Sequence, residues 1–444
     1  MTLQSVVDVL VGYSWSLPCL LFILGVAVYL TIQLGFVQFR YFSTAIKLVT
    51  QKSDTSHSRG ELTPLQAFLN TLGTNIGNGS FAGMSVAIYT GGPGAIFWVL
   101  VLATFSMSLR FAEVFLGTYY IDRLKVNNVN GGPTAYMSLL PGGKIWGYVF
   151  NVLALLVMLI IGNLAQCHSV GASVHKVFGV NEYITGLFVL LFIAYIFLGG
   201  AQRIVKVVDK LVPFKVAIFL FTAIIVLIYH WKAVPHALYL IISSAFYPEA
   251  ILGGTFGYAL QKAVAVGFKR EVFSSEAGLG TAAVAFGEAK GADPVQNGIL
   301  AMLGVFINIH VVCFLVALGL IASGVWNNGE TSSALVVCAY ESVFGKFGGW
   351  IISGLMINFA ISVLVATAYN GKQCWNFLFH CKYGYVFPIV YSMVAFCGTW
   401  LHVNLVFNLS DIMSAVLMTL NLIGLLWSVG TIKKELKAYR IKHG

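Results

Sequence analysis

The sequence predicts an all-α integral membrane protein, and three observations carry that prediction. Only 9 % of its 444 residues are charged while 58 % are hydrophobic, against roughly 25 % charged in soluble domains. Eleven apolar runs follow one another along the chain, and two of them are interrupted by clusters of glycine. Apolar area left in water is unfavourable by about 25 cal/mol per Å², so a surface with this little charge must face lipid. No Pro/Ser-rich linker or low-complexity tract divides the pattern, which makes the chain a single polytopic domain.

A bilayer core about 30 Å thick needs about 20 apolar residues per helix. The runs cover residues 15–37, 64–90, 94–121, 145–173, 184–198, 212–230, 245–268, 294–323, 348–369, 386–403 and 409–429. The first is a retained helix rather than a cleaved signal, because no Lys or Arg precedes Arg40. The second carries a glycine-dense interruption, the third the charged residues Arg110 and Glu113, the sixth Lys215, and the seventh a second glycine cluster.

Basic residues between the runs set the orientation. Alternate connections hold Arg40, Lys47, Lys52 and Arg59, then Arg123, Lys125 and Lys144, then Arg203, Lys206 and Lys210, then Lys262, Lys269, Arg270 and Lys290, then Lys372 and Lys382; five more stand in the tail. That makes 21 on one side against Lys176, Lys232 and Lys346 on the other. The excess places the C-terminus in the cytoplasm and, with eleven spans, the N-terminus outside.

Lipid satisfies no backbone polar group, so a glycine-dense interruption within a span implies irregular backbone around an enclosed cavity. The second run reads Gly73-Thr74-Asn75-Ile76-Gly77-Asn78-Gly79-Ser80-Phe81-Ala82-Gly83, and the seventh Gly253-Gly254-Thr255-Phe256-Gly257. With the first helix as an accessory, these open two successive five-helix blocks of inverted topology: 1–62 accessory helix and cytoplasmic loop, 63–230 first block, 245–432 second block, 433–444 cytoplasmic tail. Paired broken helices are the pointer to a secondary transporter. Free amides at a half-helix N-terminus suit a carboxylate, and freed carbonyls suit a cation or ammonium group. Glycines at this spacing also permit close helix packing; Asn75, Asn78, Ser80 and the second break favour a binding site.

Other classes find less support. The basic residues form no patch interleaved with exposed aromatics, so nucleic acid is no expected partner. Seven cysteines without a CxxC pair read as small buried hydrophobes, and no metal or other cofactor is expected beyond a coupling ion. The Gly-Lys pairs at Gly143, Gly345 and Gly371 lack the Walker pattern of an ATP-driven pump. Ser80 with distant histidines could belong to an intramembrane serine protease, but the broken helix explains it better.

From Pro64 to about Ile423 the chain resembles the alanine/glycine:cation symporter family. The resemblance rests on Gly91-Gly92-Pro93-Gly94-Ala95-Ile96-Phe97-Trp98, on Phe111-Ala112-Glu113, Gly131-Gly132-Pro133 and Val212-Pro213-Phe214, on Phe273-Ser274-Ser275-Glu276-Ala277-Gly278-Leu279-Gly280, and on Asp411-Ile412 with Asn421-Leu422-Ile423. It implies the leucine-transporter-type inverted-repeat fold, a prokaryotic inner-membrane location, and sodium- or proton-driven uptake of small neutral amino acids by a monomer.

Departures from the family pattern are equally informative. Ser80 takes an Asn position and Asn78 a variable one; Ser362, Val363 and Thr367 stand where two adjacent hydroxyl residues and a tryptophan are usual; Asn308-Ile309 replaces Asp-Thr, Lys215 a methionine, and His168 an Asn two residues after the retained Gln166. These changes remove hard oxygen ligands of the kind sodium requires. Two readings of Lys215 stand: its ammonium replaces a missing sodium ion, or it snorkels to the headgroups.

Arg110 and Glu113, three apart, share a helical face and are expected to pair, as a structural ion pair or a cytoplasmic gate. His168 and His310 are structural or relay protons. The expected substrate carboxylate site is Gly77 to Gly83 with Asn75, Asn78, Gly79 and Ser80; the ammonium site is Gly253, Gly254, Thr255, Phe256 and Gly257 with Gln166. Thr367, smaller than tryptophan, predicts tolerance of side chains larger than alanine. Ser362, Asn308, Lys215 and His168 are the ion-coupling candidates. A non-transporting amino-acid sensor remains the competing class.

Overall fold

The computed structural model describes residues 12–50, 62–121, 131–246, 256–289, 293–400 and 403–443. Among these every regular element is helical, apart from one bridge pairing Leu62 with Ala289. The chain runs α1 (Leu17–Gln33), α2 (Val37–Arg40), α3 (Phe42–Thr50), α4 (Pro64–Asn75), α5 (Asn78–Gly91), α6 (Gly94–Tyr119), α7 (Pro133–Met137), α8 (Lys144–Leu159) and α9 (Ala165–Phe178). It continues with α10 (Glu182–Leu198), α11 (Gly200–Tyr229), α12 (Val234–Phe246), α13 (Phe256–Ser275), α14 (Thr281–Phe286), α15 (Pro294–Val305), α16 (Phe314–Ala322), α17 (Ser332–Phe344), α18 (Lys346–Leu378), α19 (Val386–Gly398) and α20 (Val403–His443). Wider π-helical turns, Ile160–Leu164 and Phe306–Cys313, join α8 to α9 and α15 to α16.

Among the described residues seven continuous helices are long and apolar enough to cross a membrane, and four more, α10, α12, α17 and α19, are shorter and apolar. The predicted run 245–268 joins two elements, since α12 ends at Phe246 and α13 starts at Phe256. Helices α12 and α17 fall in segments expected to be connections. Their ends are fixed by close backbone approaches: a Cβ at Gly94 would stand 2.2 Å from Ser244 O, and one at Gly348 would stand 2.4 Å from the Tyr340 carbonyl carbon. Helix α20 runs on through the expected tail to His443.

Helix α6 lies at the centre, packed by α13, α14, α15, α12 and α1. The accessory α1 lies against α6 and α20. Ser108 Oγ donates to Ala27 O at 3.1 Å, and Trp15 Nε1 donates to Asp411 O at 3.2 Å. At the other end Lys433 Nζ donates to Gln33 Oε1 at 2.6 Å, so α1 and α20 run parallel. Lys269 pairs with Asp411 and lies over the Trp15 ring. It therefore sits at the Trp15 end, away from Arg40 and Lys433, which corrects its place in the charge count. Lys262 and Arg270 go with it, because all three lie on α13 and not in a connection. Phe188, Phe221 and Leu198 are among many large apolar side chains facing outward, as a lipid-facing surface requires.

Candidate functional site

The first break forms as the glycines foretold. Thr63 and Gln66 cap α4 reciprocally, at 3.2 and 3.0 Å, with Pro64 in the first turn. The helix stops at Asn75, Ile76 and Gly77 bridge the gap, and α5 restarts at Asn78. Gly77 has an extended conformation that any residue could adopt. What demands glycine is space, since a Cβ would stand 2.7 Å from Val363 Cγ2 and 3.7 Å from Gln166 Oε1. At Gly79 a Cβ would stand 2.9 Å from the Phe273 ring.

A second break appears among the described residues after Ser275, C-terminal to the predicted cluster. Gly253, Gly254 and Thr255 fall outside the described residues, whereas Phe256 and Gly257 open a helix that continues unbroken to Ser275. The backbone turns left-handed at Glu276 (φ 54°), Gly278 (φ 90°) and Gly280 (φ 80°) before α14 resumes. The glycine-rich Ser274 to Gly280 stretch is thus itself a broken segment.

Asn308, on the π-turn between α15 and α16, ties the two broken helices together. Its Oδ1 accepts from Ser80 Oγ at 3.0 Å, and its Nδ2 donates to Ser274 O at 2.6 Å and Asn75 O at 3.4 Å. Ser80 Oγ also meets Ser274 Oγ at 3.3 Å. The Ser80 hydroxyl thus braces the first break against Asn308 and Ser274. Gly83 lies beyond the first turn of α5, so its amide is inside the helical ladder and not free for a carboxylate.

Around the first break, buried amide atoms have no partner among the described residues: both side-chain atoms of Asn78, Asn75 Nδ2 and Gln166 Oε1. Gln166 Nε2 holds Ile161 O at 3.4 Å, which aims the rest of its carboxamide toward Gly77. Asn78 and Gly79 open α5 at the same break, ahead of Ser80, whose amide donates to Gly77 O at 3.0 Å. Buried polar groups without partners are costly, and their convergence on a helix N-terminus suits a small zwitterion. Thr367 is buried against Gly162 on the π-turn, one helical turn past Val363. His168 is half-buried on α9, two residues after Gln166. His310 is bound structurally, its Nε2 within 3.0 Å of Thr104 Oγ.

On the opposite side of the break, Lys215 is fully buried. Its Nζ donates to Ile76 O at 2.6 Å, to Gly73 O at 3.3 Å and to Ser362 Oγ, with the Phe359 ring 5.1 Å away. The snorkelling alternative is thereby excluded for Lys215. Arg110 and Glu113 form the expected pair at 2.8 Å, both fully buried. Glu113 Oε2 also accepts from the amides of Gly278 and Gly280 at 3.1 and 2.9 Å and from Asn421 Nδ2 at 3.3 Å, which anchors the second break to α6 and α20. Arg110 in turn donates to Ser275 O at 2.5 Å.

Glu271 escaped the sequence reading. It is buried on α13 one turn before the second break, bonded by Ser106 and Ser275 and under the charge of Arg110, with Oε1 unpartnered. Its sequence surroundings, Lys269 and Arg270, made the segment read as a loop. Only the helix that places it in the core distinguishes it.

Two broken helices, braced against each other and presenting unpaired polar atoms inside an all-helical apolar bundle, define a secondary transporter of the leucine-transporter type. The chain belongs to the sodium:alanine symporter family, which it matches over residues 1–444. It is 32 % identical over 447 residues to the sodium/alanine symporter AgcS of Methanococcus maripaludis, covering 99 % of this chain and 98 % of that one. It is 29 % identical to the probable sodium/glutamine symporter GlnT of Bacillus subtilis, covering 98 % and 91 %. Among solved structures, a manganese transporter of Eremococcus coleocola shares the fold, with a TM-score of 0.53 at 12 % identity over 81 % of this chain and 75 % of that one. A Na+-coupled sialic acid symporter aligns at a TM-score of 0.50, with 11 % identity over 95 % and 85 %. The chain is a multi-pass membrane transporter of the cation-coupled amino-acid class.

Proposed function

We propose that the chain imports small neutral amino acids across a prokaryotic inner membrane by cation symport and alternating access, as a monomer with its N-terminus outside and C-terminus in the cytoplasm. The observation that carries this is the set of buried, partnerless amide atoms of Asn75, Asn78 and Gln166 around the N-terminus of α5. The substrate carboxylate meets the Asn78 and Gly79 amides and the Asn75 and Asn78 side-chain NH₂ groups, where donors and helix dipole favour negative charge. The ammonium group meets Gln166 Oε1. Val363 and Phe273, which close on Gly77 and Gly79, bound the side-chain space and favour small apolar substituents. Relatives named for alanine and for glutamine support a neutral amino acid.

Counterflow in proteoliposomes, with labelled alanine and unlabelled glycine, serine, valine or glutamine inside, tests this reading without needing a gradient. Alanine exchange is expected, with Asn78→Ala and Gln166→Ala each raising the half-saturating concentration about tenfold, as loss of one net hydrogen bond of about 1–1.5 kcal/mol implies. Exchange of none of these amino acids, or unchanged half-saturation in both variants, would overturn it.

A further inference from the structure

We propose that Lys215 is itself the coupling residue: its ammonium fills the position of a bound cation at the first helix break, and the ion that crosses the membrane is a proton carried on Lys215. This rests on the transport reading above and names its ion. The ammonium has three N–H donors, and three oxygens receive them: the carbonyls of Gly73 and Ile76, freed where α4 ends, and the Ser362 hydroxyl of α18. Such a set of carbonyls and a hydroxyl is what a hard monovalent cation would use. Here the space is already taken by a tethered charge, and Val363, next to Ser362, offers no oxygen to enlarge it. The end of α4 is also the negative end of its helix dipole.

Among the described residues no acid pairs with this cation. Helices α4 and α16, packed on α11, carry no titratable side chain. Glu182 and Tyr195 on α10, Tyr340 and Glu341 on α17, and Tyr369 on α18 form no ion pair or hydrogen bond with Lys215; Tyr340 meets Thr222 instead. Asp209, on α11 itself, accepts from Gln66. Lys215 therefore latches α11 to the break in α4 and to α18, and the latch depends on its proton.

A lysine bound to the chain cannot be released into the cytoplasm as sodium would be, so only its proton can supply transmembrane coupling. When the site opens inward and α4 parts from α18, one N–H bond breaks, its electron pair stays on nitrogen, and the proton passes to cytoplasmic water. The neutral amine returns to the outward-facing form, where an external proton makes a new N–H bond and restores the latch.

The test uses proteoliposomes containing the full chain, labelled alanine, and trapped pyranine to read luminal pH. Without sodium, an inward gradient of one pH unit is expected to drive about tenfold accumulation at one proton per amino acid, and alanine entry is expected to acidify the lumen. Lys215→Met and Lys215→Arg, neither of which can cycle a proton, are expected to lose accumulation while retaining gradient-free counterflow. Accumulation driven by a sodium gradient at symmetric pH, or alanine entry without luminal acidification in the unmodified protein, would overturn the proposal. Both readouts hold even if a variant does not fold. Absence of counterflow in the unmodified protein would instead defeat the transport reading.

Discussion

The Asn308 carboxamide accepts the Ser80 hydroxyl at 3.0 Å while donating to Ser274 O at 2.6 Å, so one side chain joins the restart of the first broken helix to the end of α13. Asn308→Ala removes both bonds and leaves Ser274 O and Asn75 O short of a buried donor. Loss of about 1–3 kcal/mol for each buried group left unpaired falls on the relative placement of the two breaks. Alanine counterflow in this variant is expected to slow by tenfold or more. Binding of alanine is expected to weaken less, because no proposed substrate contact is removed. Counterflow at the unmodified rate would show that the two breaks are held by other contacts.

Gly77→Ala places a methyl group 2.7 Å from Val363 Cγ2, closer than van der Waals contact allows, while the extended backbone itself tolerates alanine. The variant is expected to lose alanine counterflow. Adding Val363→Ala supplies the missing space, and the double variant is expected to recover a measurable share of exchange. If the double variant were no better than Gly77→Ala alone, the requirement for glycine would lie elsewhere than in packing against α18.

The all-helical membrane class and the first break were legible because they rest on local properties, apolar length and glycine clustering. The family resemblance reached the second break only as a motif: the Ser274 to Gly280 stretch was recognisable, but its role depends on Glu113 accepting the Gly278 and Gly280 amides from another helix. Nothing near Glu113 in sequence announces such partners. Lys215 was visible as a departure, yet its burial could not be read from a position close to the expected span boundary. The fate of its ammonium was decided by α4 and α18, remote in sequence. The bracing of Ser80 by Asn308 and Ser274 was hidden for the same reason, since both partners are remote in sequence.

Glu113 holds a fully buried guanidinium with one oxygen and the second broken segment with the other. Glu113→Gln preserves shape but removes the carboxylate paired with the buried Arg110, leaving only the less direct counter-charge of Glu271, and breaking a buried pair in this way costs up to about 3–5 kcal/mol. Detergent-solubilised Glu113→Gln protein is expected to unfold several degrees below the unmodified protein. Glu113→Gln combined with Arg110→Met removes the stranded charge and is expected to regain part of that loss, though not the full anchoring of Gly278 and Gly280. Equal unfolding temperatures for Glu113→Gln and the unmodified protein would show that the pair contributes little to stability.

Lys269 pairs with Asp411 and Trp15 at the end of the bundle opposite Lys433 and Gln33. Under a cytoplasmic C-terminus, that places the neighbouring exposed Lys262 toward the outer face, although the basic-residue count had assigned it to the cytoplasm. Cys381 follows α18, whose last turns carry Lys372 on the cytoplasmic side, and it is the exposed cysteine among the described residues. A membrane-impermeant maleimide is therefore expected to leave unmodified protein unlabelled in right-side-out vesicles and to label it in inside-out vesicles. A Lys262→Cys, Cys381→Ser variant is expected to show the reverse pattern. Labelling of that variant from the cytoplasmic face would return Lys262 to the side first assigned to it. It would also mean that α13 does not enter the membrane from the Trp15 end, so the second break would no longer face the first across a common site.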